Sequence, residues 1–88
     1  MNDTIDLIRQ KLAVLAPERI DIVDESAQHA GHAGAAGGGG HYRLIIVSGR
    51  FKDTNVVGRH RMIYEALGEM MKEQIHALSI SAYAPDEI

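Results

Sequence analysis

The chain has 88 residues, 45% of them hydrophobic and 24% charged, with a formal net charge of −3 and no cysteine. That length accommodates one domain with one small core, and the composition argues against wholesale disorder. A disulfide scaffold, a thiol nucleophile and a metal cluster held by this chain's own thiolates are excluded, and the acidic balance gives no global pull toward nucleic acid or anionic membrane.

The first segment reads as a helix. Asp3 or Thr4 can cap it, Asp6 places a carboxylate in the first turn, and Ile5, Ile8, Leu12 and Leu15 form one apolar stripe. Pro17 stops it, having no N–H for the ladder and displacing Ala16 from the α region. From Arg19 to Val23 the period changes to two, which predicts a short strand.

Residues 27–40 (AQHAGHAGAAGGGG) contain six glycines and no core-forming side chain. Ordering them is costly in entropy, so they read as a mobile Gly/Ala/His loop joining two strands of a hairpin. His41 to Ser48 is the strongest predicted strand, and apolar side chains on both of its faces predict a central position. Asp53-Thr54 could cap a short helical turn through Val57. Gly58 then interrupts before a longer helix from about Arg59 to Glu73, whose buried stripe is Ile63, Leu67, Met70 and Met71. A last strand runs from about Ile75 to Tyr83, with His76, Leu78, Ile80 and Ala82 on one face, and Pro85 ends it.

This order predicts a two-layer α+β domain over residues 1–88, with helices packed on one face of a three-stranded mixed sheet. No apolar run approaches the ~20 residues of a membrane span, and Met1-Asn2-Asp3-Thr4 lacks the basic-then-apolar order of a signal peptide. The expected compartment is therefore the cytoplasm, with no membrane association.

Histidines at positions 29, 32, 41, 60 and 76 are the side chains best suited to metal or proton chemistry. His29 and His32, three apart in the loop, resemble a metal-ligand pair, although two solvated imidazoles are the ordinary alternative. His41 opens the central strand, where a sheet-edge side chain is the ordinary reading. His76 opens the final strand on the face of Leu78 and Ile80 and should stand half-covered at the rim of the core. Arg50, Lys52, Arg59, His60 and Arg61 concentrate positive charge locally and could meet phosphates or an acidic partner, against the ordinary reading of a solvated charged face. Met62, Met70 and Met71 read as core filler. The glycine run lacks the lysine of a phosphate loop, no pair of carboxylates is placed for acid–base work, and Ser26 and Ser48 have no nucleophile setting. An enzyme is not expected.

The runs HYRLIIVSGRF, VVGRHRMIYEALGEM and IHALSISAYAPDE, preceded by IDIVDES, are similar to the BolA family from about Ile5 to Glu87. The most specific pieces are V-S-x-R-F at Val47 to Phe51, R-H-R at Arg59 to Arg61 and H-A-L at His76 to Leu78. The resemblance implies an αββααβ fold like a KH type II domain. It also implies a heterodimer with a monothiol (CGFS-type) glutaredoxin that shares a [2Fe-2S] cluster, with glutathione and the glutaredoxin Cys as the other ligands and no cofactor on the isolated chain. By this resemblance His76 corresponds to the family's C-terminal ligand and His29 to its loop ligand, with His32 as competitor. A second implied reading is a DNA-binding transcriptional regulator, though Val57-Gly58-Arg59-His60 lacks the G-x-x-G that clamps nucleic acid in KH domains. A third reading from the residues is a stand-alone metal carrier using His29, His32 and His41.

Overall fold

The computed structural model describes residues 3–25 and 40–88. Helix α1 spans Asp3–Leu12 and runs on as a 3-10 turn over Ala13–Leu15. Its apolar stripe is the expected one: Ile8, Leu12 and Leu15 are buried, with Ile5 packed against them. Ala16 leaves the right-handed helical region as anticipated, into the left-handed one (φ 48°), and donates its N–H to the Ala13 carbonyl at 2.9 Å.

Strands β1 (Arg19–Asp24), β2 (Gly40–Val47) and β3 (Ile75–Tyr83) form one sheet in that order, β1 antiparallel and β3 parallel to β2. The central position expected for the most apolar strand is the one observed. Tyr42, Leu44 and Ile46 are its core face; Ile20 and Ile22 of β1 and Leu78, Ile80 and Ala82 of β3 flank them. The alternation leaves Arg19, Asp21, Val23, His41, Arg43, Ile45, Ala77, Ser79 and Ser81 on the opposite face. Of the predicted loop 27–40, Gly40 belongs to β2 and the rest lies outside the described residues.

The region after β2 departs from expectation. The predicted turn at Asp53–Val57 and the helix beginning at Arg59 are one helix, α2, spanning Val56–Leu67. Asn55, not Asp53 or Thr54, is its cap: Asn55 Oδ1 accepts the Gly58 N–H at 2.8 Å. Gly58 therefore sits inside the first turn, where a side-chain acceptor satisfies an N–H that has no intrahelical partner. The short helical element lies earlier, as a 3-10 turn over Gly49–Phe51. At the other end, Gly68 (φ 56°, ψ −126°) stops α2 before Glu73, and a 3-10 turn continues to Met71. That conformation is readily adopted only without a Cβ.

Both helices cover one face of the sheet, joining Ile8, Leu12, Ile63, Leu67, Met70 and Phe51 to the strand residues in one core. Ser48 clasps three parts together. Its N–H donates to the Tyr83 carbonyl at 3.0 Å, its Oγ donates to the Leu15 carbonyl at 2.6 Å, and that Oγ accepts the Arg50 N–H at 3.1 Å.

Candidate functional site

His76 is placed by a break in the sheet's register. Gly40 pairs with Ile75 and His41 with Ala77, so one residue of β2 is matched by two of β3, and His76 is the extra one. This is a β-bulge, which bends the strand and re-aims a side chain. It corrects the expectation that His76 shares the core face of Leu78 and Ile80. Ile75 takes the core position instead and is buried, while His76 is exposed. Simple period-two counting fails here because it cannot register an inserted residue.

The bulge begins beside a tight approach of two residues. A Cβ on Gly40 would lie 2.4 Å from Cε2 of Tyr42, whose ring is buried. Gly40 also donates its N–H to the Gln74 carbonyl at 2.9 Å, tying the start of β2 to the chain entering β3. The imidazole of His76 lies beside that of His41, with ring centroids 5.1 Å apart and planes inclined at 44°. His41 is half-buried. His29 and His32 lie outside the described residues, as does Ser26. Among the described residues no group of three or more His, Cys, Asp or Glu is arranged to hold a metal. What the strands present is thus an exposed imidazole and a neighbouring one, with donor chemistry suited to contributing ligands to a metal that is completed from elsewhere.

The basic stretch divides. Arg59, expected at a contact surface, is 8% exposed and committed to the fold. Its Nε donates to the Thr54 carbonyl at 2.7 Å and its Nη1 to the Ala82 carbonyl at 3.0 Å. Nη1 and Nη2 also grip the Glu87 carboxylate at 2.6 and 2.9 Å. The guanidinium carbon sits 6.0 Å from the centroid of Phe51, within cation–π range. Glu87 in turn accepts the Ala84 N–H at 2.8 Å. The Arg59 hydrogen bonds, helped by that N–H, lower the Glu87 pKa to about 2, and the same pairing raises that of Arg59. With four of its five N–H donors so engaged and its side chain buried, this arginine is committed to the fold, which sets it apart from the rest of the expected contact set. Arg50, Lys52 and Arg61 are exposed, and His60 is half-buried with its ring edge-to-face against Tyr64 at 6.4 Å.

Glu87, Phe51 and Ser48 carry structural roles that sequence reasoning did not assign. The available signal for Glu87 was its position three residues after Ala84 in a Pro-Asp-Glu turn, a spacing that lets a carboxylate reach back to a backbone N–H. Among the described residues no helix is long and apolar enough to cross a membrane.

Residues 12–87 match the family model described as BolA-like protein. The chain is 44% identical over 87 residues to "SufE-like protein 1, chloroplastic/mitochondrial" of Arabidopsis thaliana, covering 92% of this chain and 24% of that protein. It is 37% identical over 84 residues to "DNA-binding transcriptional regulator BolA" of Escherichia coli (strain K12), covering 91% and 74% respectively. Mouse BolA-like protein 1 is 42% identical over 79 residues, 89% of this chain and 56% of its own length, so several relatives extend well beyond the matched domain. Among solved structures, the "BolA domain of SufE1 from Arabidopsis thaliana" superposes with a TM-score of 0.85 at 40% identity, covering 100% of this chain and 99% of that one. "BolA1 from Arabidopsis thaliana" gives 0.82 at 35% identity, with coverage of 100% and 99%. Relatives named for chloroplast or mitochondrion stand beside a bacterial one, so kinship does not single out the cytoplasm. With the family model matched over residues 12–87 and the whole fold shared with solved BolA domains, this chain belongs to the BolA-like family.

Proposed function

We propose that this chain is a non-enzymatic partner of a monothiol (CGFS-type) glutaredoxin, sharing a [2Fe-2S] cluster with it in cluster trafficking or iron-linked regulation. The supporting observation is the exposed imidazole of His76, aimed outward by a bulge in β3 next to the buried Ile75. A chain with no cysteine cannot hold such a cluster alone, but it can lend imidazole to iron whose other ligands come from a glutaredoxin thiolate and glutathione. His76 is the strand-borne ligand in this reading, and His29 or His32 the loop-borne one. The rigid strand fixes where the iron sits; the second ligand governs how readily it leaves. Anaerobic co-purification with a monothiol glutaredoxin, followed by iron and sulfide analysis, tests the reading. A one-to-one heterodimer carrying two irons and two sulfides supports it, and a complex without iron contradicts it.

A DNA-binding role is the second reading, favoured by the name of the Escherichia coli relative and by the exposed Arg50, Lys52 and Arg61. Because Arg59 is structural, the test is Arg50→Ala with Arg61→Ala. Duplex affinity that falls steeply with salt and is lost in this double variant supports DNA contact; affinity unchanged by it does not.

A further inference from the structure

We propose that His41 and His76 form a two-imidazole site that chelates a divalent transition-metal ion on the isolated chain. The spacing carries the inference. A metal about 2.05 Å from one nitrogen of each ring, in line with each ring's centroid and at a tetrahedral angle, would set the two centroids about 5.2 Å apart. The centroids here are 5.1 Å apart with no metal needed to draw them together. Two adjacent strands fix this arrangement: His41 pairs with Ala77 in the ladder, and the bulge inserts His76 immediately before that pair. The backbone cost of bringing the ligands together is thus met on folding.

The site is open on its outer side, since His76 is exposed and His41 is half-buried. No third His, Cys, Asp or Glu among the described residues completes it. Two coordination positions therefore fall to water or to a donor from a partner, which makes the bound ion exchangeable. Neutral imidazole suits Zn²⁺, Ni²⁺ and Cu²⁺, and affinity should rise toward Cu²⁺. The pair shares His76 with the cluster reading but rests on ring geometry alone.

The full chain, without glutaredoxin, is titrated with ZnCl₂ and then NiCl₂ at pH 7.5, reading calorimetric affinity and the imidazole nitrogen signals of all five histidines. One equivalent should shift the His41 and His76 signals together. His41→Gln and His76→Gln should each weaken binding at least tenfold, with amide spectra verifying that both variants are folded. The double variant His29→Ala/His32→Ala should bind within twofold of the parent. Affinity unchanged in folded His41→Gln, or lost in the His29/His32 variant, would overturn the site. Because no glutaredoxin is present, that failure would leave cluster sharing untouched. Conversely, Zn²⁺ binding intact beside a failed cluster assembly would sink only the glutaredoxin reading.

Discussion

Arg59 and Glu87 stand 28 residues apart in sequence and meet in a two-pronged ion pair, Nη1 to Oε1 at 2.6 Å and Nη2 to Oε2 at 2.9 Å. The pair fastens the turn after β3 onto α2, and through Arg59 Nη1 it also holds the Ala82 carbonyl near the end of β3. A basic residue that reads as surface charge is, in this fold, a rivet.

Acid should loosen that rivet in a defined window. The Glu87 pKa is lowered from 4.5 to about 2, first by the Arg59 hydrogen bonds and then by the Ala84 N–H. A carboxylate with a depressed folded-state pKa binds fewer protons folded than unfolded, so its contribution is complete above the unfolded value and is lost as pH falls toward the folded one. Glu87→Gln should therefore be less stable than the parent at pH 7, with the gap closing between about pH 5 and pH 2. Urea midpoints measured across that range decide it. A constant gap would show that the carboxylate's charge is irrelevant.

Ser48 is buried with both its hydrogen-bonding roles filled. Ser48→Ala strands the Leu15 carbonyl and the Arg50 N–H, which should cost about 1–3 kcal/mol of unfolding free energy. Denaturant unfolding of the two proteins measures it, and an unchanged midpoint would mean that solvent reaches those groups.

Gly40 leaves no space for a methyl group beside the Tyr42 ring. Gly40→Ala should destabilise by about 1–3 kcal/mol through forced displacement of the ring or strand. It should also disturb the neighbouring His41–His76 spacing, seen as shifted imidazole signals. A variant with the parent's stability and spectrum would contradict the close packing.

The bulge makes an unusual deletion tolerable. Removing one residue from a strand normally turns every side chain beyond it to the wrong face. Deleting His76 should instead restore one-to-one pairing, with Ile75 still opposite Gly40 and Ala77 opposite His41. The deleted protein should unfold cooperatively and keep slow amide exchange along β3. Loss of cooperative folding would mean that His76 is not the inserted residue.

Much of this architecture was legible in the chain. Ile8, Leu12, Leu44, Ile46, Ile63 and Leu67 declared their burial by spacing, because helix and strand periods act on adjacent residues. Asn55 was harder to see as a cap, since the preceding Asp53-Thr54 offered equally good capping chemistry and tertiary packing chose between them. Arg59 and His76 were misplaced for a common reason. Burial of the first depends on Glu87 and the orientation of the second on a register shift against Gly40, both long-range facts with no local signature.

The most direct test of the account is the visible absorption and circular dichroism of the complex with glutaredoxin, compared between the parent and His76→Ala. If iron is shared through His76, the mixed-complex spectrum present in the parent disappears in the variant and only the signal of glutaredoxin alone remains. The same spectrum from both proteins would contradict it.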